Sequence, residues 1–181
     1  MNAHRWAGVL LVLSFLILIV GAGANAPGLY QTQDIAERMR ILEAYRSRWY
    51  IERAASVVYA LLQLTAFLLL AYSLRKTTSS WVPVLSVVAF AVATASALVF
   101  IYLQTTDPRG GYSRAYPLPE DLTYWMLLAG YLFLGISFFQ GGLPAWLGYL
   151  TAAAAVVLGG IFVVTGVGGW IPFILMFLQL L

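Results

Sequence analysis

The chain has 181 residues, 62% of them hydrophobic and 9% charged, and carries a net charge of +3. A soluble domain is about 45–50% apolar and about 25% charged, so a water-soluble fold of this length would expose apolar surface it could not hide. The small, scattered positive charge offers no footprint for nucleic acid, and the lack of cysteine removes disulfides, thiolate metal sites and cysteine nucleophiles from consideration.

These exclusions leave an integral membrane protein, an all-α polytopic transmembrane bundle of five to six spans forming one domain over residues 1–181. Crossing hydrocarbon takes about 20 apolar residues in a helix. The period-2 alternation of a barrel strand is absent, and open strands cannot satisfy their backbone in lipid. The first span covers 6–23. His4 and Arg5 before it and Ala24-Asn25-Ala26 after it have the layout of a signal peptide. Pro27 directly follows that site and hinders cleavage, so the segment reads as a retained first helix.

An amphipathic helix is predicted over 34–53. Ile35, Met39, Leu42, Tyr45 and Trp49 form a stripe at helical spacing, opposite Glu37, Arg40, Glu43 and Arg48. Asp34 and Glu37 resemble a capping box, and Asp34–Arg38 and Arg48–Glu52 stand at pairing distance i,i+4. With no glycine or proline between Asp34 and Ser80, this helix either continues into the second span as one rod or bends onto the membrane surface. It serves as an interfacial anchor or as a docking surface for a partner.

The second and third spans cover 54–74 and 81–103. The loop after them contains Asp107-Pro108-Arg109-Gly110-Gly111, with Tyr112, Arg114 and Tyr116 beyond. Turn chemistry and an interfacial aromatic belt account for these residues; a binding lid built on Arg109, Tyr112 and Arg114 is the functional alternative. Pro119, Glu120 and Asp121 suit a helix start, and a fourth span follows at 122–140. From Leu143 onward no side chain is charged. This stretch divides into a span at 143–165, a turn at Gly166-Val167-Gly168-Gly169 and an incomplete span at 170–181. The last rises only about 18 Å at 1.5 Å per residue, against about 30 Å of hydrocarbon; a natural chain continuing past Leu181 is the expectation.

Within the spans the patterns speak of packing. Ala89, Ala93 and Ala97 line one face of the third span, and Gly148, Ala152, Ala155 and Gly159 one face of the fifth, spacings that let helix backbones approach closely. No Asp, Glu, Lys, Arg or His occurs in 54–74, 81–103 or 122–181. Proton relays and ion paths are marked by such groups. One histidine, His4, offers no pair for haem, and no metal site or cofactor is expected. Gln63 is the most unusual mid-span residue, with Tyr59 and Thr65 near it. An interhelical hydrogen bond explains it; contact with a small neutral ligand is the alternative.

Orientation rests on competing signals. Loops one and three carry seven Lys/Arg, against Arg5, Arg75 and Lys76 at the other end. The first helix usually dominates and its basic flank is Arg5, so the N-terminus is expected in the cytoplasm.

The opening Arg5-Trp6-Ala7-Gly8-Val9-Leu10, the long charged first loop, and the second span ending Leu69-Leu70-Ala71-Tyr72-Ser73-Leu74-Arg75, before a Gly-rich apolar C-terminal half, resemble the bacterial multi-pass proteins grouped as domain of unknown function 4386. The resemblance implies a six-helix bundle of the bacterial cytoplasmic membrane and brings no activity or site residues. The expected function is a non-catalytic accessory or scaffolding protein acting through helix–helix contacts with other membrane subunits or with itself. A small transporter or binding protein for a neutral or lipophilic ligand is the first alternative. An interfacial enzyme using Asp107, Arg109, Glu120 and Asp121 is the second.

Overall fold

The computed structural model describes residues 3–29, 32, 34–78, 80–107, 117–165 and 174–175. The described residues form six helices: α1 (Ala3–Gly23), α2 (Ile35–Ala44), α3 (Arg46–Arg75), α4 (Val82–Thr106), α5 (Pro117–Gln140) and α6 (Ala145–Thr165). Five of them, all but α2, are long and apolar enough to cross a membrane. The helical bundle expected from composition is the fold. The expected turn at 166–169 and the loop residues Arg109, Tyr112, Arg114 and Tyr116 lie outside the described residues. So does the expected sixth span, apart from Ile174 and Leu175; Leu175 is helical and buried in the main core.

Each spanning helix packs on the one before it, α1 on α3, α3 on α4, α4 on α5 and α5 on α6, with a smaller contact between α3 and α5. The spans therefore alternate in direction. One end of the bundle, here the hairpin end, holds the start of α1, the 76–81 connection and the 141–144 turn. The other, the α2 end, holds α2 with the start of α3 and the end of α4. The α5–α6 turn closes tightly: Gly142 adopts φ 72°, and the Leu143 N–H reaches the Phe138 carbonyl at 3.3 Å. This is the left-handed cap that glycine alone makes without strain.

The amphipathic region differs from the expectation of one helix over 34–53. Helix α2 ends at Tyr45 (φ −116°, ψ 28°), and residues from Arg46 onward already belong to the spanning helix α3. No glycine or proline marks this break. Packing drives it: Leu42 on α2 buries against Ala26, Leu29 and Trp49, which a straight rod could not bring about. The predicted cap is present, with the Ala36 N–H donating to Asp34 Oδ1 at 2.9 Å. Glu37 does not return to complete a box; it pairs with Arg40 at 2.6 Å, and its charge and hydrogen bond raise the Arg40 pKa above the ordinary arginine value. The stripe is only half buried, since Ile35 and Tyr45 face outward while Leu42 and Trp49 face inward.

Exposed aromatic side chains gather at two levels. Trp6, Tyr72, Trp81, Trp146 and Tyr149 ring the hairpin end; Tyr45, Tyr50, Tyr102 and Trp125 ring the α2 end. Tyr50 to Tyr72 on α3 spans about 33 Å at 1.5 Å per residue, and Trp81 to Tyr102 about 32 Å. This matches about 30 Å of hydrocarbon between two interfacial belts.

The core is centred on stacked aromatic rings. Phe67 (α3) and Phe90 (α4) lie face to face at 3.8 Å, and Tyr131 (α5) meets both edge-on at 5.6 and 5.2 Å. Such pairs add to simple burial. Glycine makes room for them: a Cβ on Gly130 would stand 2.8 Å from the Phe90 ring. Between α5 and α6 the backbones touch directly. A Cβ on Gly135 would lie 2.7 Å from the Ala152 nitrogen, and one on Gly148 2.9 Å from the Gly135 carbonyl.

Candidate functional site

The charged side chain most deeply placed among the described residues, Arg53, lies at the α2 end. Arg53 is 9% exposed, Gln104 6% and the neighbouring Trp49 4%. An Arg53 Nη1–H donates to Gln104 Oε1, tying α3 to α4. Its Nη2 faces Glu52 Oε1 at 3.0 Å, and the guanidinium carbon stands 5.9 Å from the Trp49 ring centre. Arg53 is three residues inward of Tyr50, about 5 Å along the helix, so it sits just inside the aromatic belt. An arginine at this depth costs free energy unless its donors are met. A carboxylate and an amide meet its two Nη groups here, and an aromatic face lies beside the guanidinium.

The local sequence explains the arrangement. Helix α3 packs closely on α1 at this level, where a Cβ on Gly21 would fall 2.9 Å from the Ala55 Cβ. The antiparallel register that stacks Phe67 on Phe90 continues outward by fourteen residues on each helix to Arg53 and Gln104. Neither residue was singled out in the sequence, because each stands one position beyond an apolar span. The signal that identifies them is the short 76–81 connection, which fixes the register of the pair.

The sequence-predicted candidates distribute as follows. Gln63 is 5% exposed and is hydrogen-bonded to Tyr59, one turn away on the same helix. Thr65 is exposed, and its hydroxyl donates to the Leu61 carbonyl at 2.8 Å, so it does not join them. Ala89 and Ala93 are buried on α4 and Ala97 is half-buried. Gly148 and Ala152 take part in the α5–α6 contact, whereas a Cβ on Gly159 would meet only Leu128, at 3.6 Å. Gly135, the partner of both Gly148 and Ala152, escaped notice as a lone glycine among bulky residues. The interhelical hydroxyl bonds come from serines: Ser86 to the Gly130 carbonyl at 2.9 Å and Ser96 to the Pro119 carbonyl at 2.7 Å. Pro119 also accepts from Thr123 at 2.7 Å. Arg109, Tyr112 and Arg114 lie outside the described residues.

Chemically, the α2-end cluster is a structural lock. The guanidinium presents only N–H donors, and an amide is neither nucleophile nor base. Among the described residues no three His, Asp or Glu side chains converge on a common point as metal ligands.

No family model, curated protein or solved structure matches this chain. The geometry alone therefore carries the functional reading.

Proposed function

We propose that the protein is a non-catalytic accessory or scaffolding subunit of a bacterial cytoplasmic membrane, with its N-terminus in the cytoplasm. It works through helix–helix contacts with other membrane subunits or with further copies of itself. The layout shared with the domain of unknown function 4386 proteins belongs to this proposal.

The observation that carries the reading is the filled centre of the bundle. A solute path or ligand cavity would run where Phe67, Phe90 and Tyr131 interlock, and the nearby amide of Gln63 is engaged by Tyr59. At the α2 end, Asp34 caps α2 and the Arg53–Gln104 bond ties α3 to α4. What the molecule offers its surroundings is apolar helix surface, notably the outward faces of α1 and α6. The test is native mass spectrometry of the protein gently extracted from its own membranes. Co-purifying subunits or self-association at fixed stoichiometry support the proposal. A monomer carrying one discrete small molecule overturns it.

The cytoplasmic N-terminus rests on Arg5 at the near flank of the first helix and on the short basic Arg75-Lys76 connection at the same end. Because the chain has no cysteine, single-cysteine labelling tests it directly. A membrane-impermeant maleimide added to intact cells should label Glu43→Cys and leave Thr77→Cys unlabelled until the membrane is opened. The reverse pattern inverts the orientation.

A further inference from the structure

We propose that the hairpin end carries a binding site for the headgroup of an anionic phospholipid, centred on Arg75 and Lys76. All seven acidic residues of the chain, at positions 34, 37, 43, 52, 107, 120 and 121, lie at the α2 end or in its connections. Among the described residues, the charged side chains of the hairpin end are cations alone. Two of them adjoin at the end of α3, and aromatic rings of the belt itself hold both in place. The Arg75 guanidinium carbon lies 4.5 Å from the Trp81 ring centre and the Lys76 ammonium 4.4 Å from that of Tyr72. Both distances are within cation–π range. Arg75 Nη1 also donates to the Ser80 carbonyl at 2.7 Å.

This fixes two positive charges at the depth of the lipid phosphate, since Tyr72 and Trp81 are belt residues exposed to the bilayer. The Val82 N–H at the start of α4 is taken by Ser80 Oγ at 3.1 Å, and the end of α3 and the start of α4 that meet here have opposite dipoles, so the two side-chain cations set the local potential. Gly141 of the α5–α6 turn closes the corner on one side, since a Cβ there would meet Leu74 at 2.8 Å and Thr77 at 3.5 Å. The occupant is a lipid rather than free phosphate, because the ring faces that hold the cations lie at the bilayer surface.

The experiment is native mass spectrometry of the intact protein titrated with dioleoyl phosphatidylglycerol or dioleoyl phosphatidylcholine. A basic residue at the membrane surface is worth roughly a fivefold preference for anionic lipid. The wild-type protein should therefore retain phosphatidylglycerol on the order of tenfold better or more, and added salt should weaken that preference. The double variant R75Q/K76Q should lose it. The charge-conserving R75K/K76R should keep it, as should R46Q/R48Q, which removes two charges from the α2 end. Equal retention of the two lipids by the wild-type protein overturns the proposal. So does a preference that survives R75Q/K76Q or vanishes equally in R46Q/R48Q. This readout concerns lipid adducts and not subunits, so it fails or succeeds separately from the accessory role.

Discussion

The two ends of the bundle handle charge in opposite ways. At the α2 end, opposite charges accompany one another, and the arginine that enters the bundle is surrounded by Glu52, Gln104 and Trp49. At the hairpin end, charge is of one sign and is laid against aromatic rings at the surface. Inward charge must be neutralised on the spot, because low dielectric makes an unmet ion costly. Outward charge need not be, because water and lipid headgroups solvate it. The α2 end is thus where charge holds the fold, and the hairpin end is where charge meets the environment.

Substitution can break this contrast. The largest effect is expected from Arg53→Met, which removes the α3–α4 tie and leaves Glu52 without its cation. A loss of about 3 kcal/mol follows from the cost of separating a buried pair, read by thermal unfolding in detergent. The double variant Glu52→Gln/Arg53→Met should regain part of it, and a double variant no better than the single one would deny that the two residues act together.

Gln104→Leu should cost about 2 kcal/mol, the typical loss for a hydrogen bond to a charged group. The same unfolding midpoint measures it, and an unchanged midpoint would remove Gln104 from the lock. On α1 the two ends can be compared with one residue type. Gly21→Ala should destabilise by about 1–2 kcal/mol, because its Cβ would meet Ala55 at 2.9 Å. Gly8→Ala, with nothing within 4 Å, should be neutral or stabilise by up to about 1 kcal/mol through helix propensity.

The smallest effect belongs to Glu37→Gln on exposed α2. Glu37 raises the Arg40 pKa above its already high ordinary value. A raised pKa contributes stability that is present below the unfolded-state value and is lost only as pH climbs through the folded one. Between about pH 6 and 9 the arginine is charged in both states. The variant and the parent should keep the same pH-independent gap in unfolding midpoint, and a gap that varies across this range would contradict the assignment.

The sequence makes the spans legible because hydrocarbon imposes a length that apolar blocks must match. Five apolar blocks in the sequence correspond to five helices long and apolar enough to cross a membrane. What it conceals depends on contacts between distant segments. The break at Tyr45 has no local cause and answers to Leu42 packing on Trp49 and Leu29. Arg53 reads as the last residue of a surface helix, and only the register set by the hairpin carries it against Gln104. The alanine and glycine series on the third and fifth spans were visible as repeats. A single glycine such as Gly135 has no repeat to show, although the α5–α6 contact depends on it.

Among the described spanning helices, the order of packing follows the order of the chain. That has a consequence for biogenesis. Contacts close in sequence form early and close only short loops. During synthesis each new span finds its main docking surface already in the membrane, since domains and their elements assemble from the N-terminal side as the chain emerges. Helix α3 meets α1, α4 meets α3, and α6 reaches a finished α5 through a turn of four residues, 141–144. The bundle can be laid down one helix at a time, without holding an early span idle for a late partner.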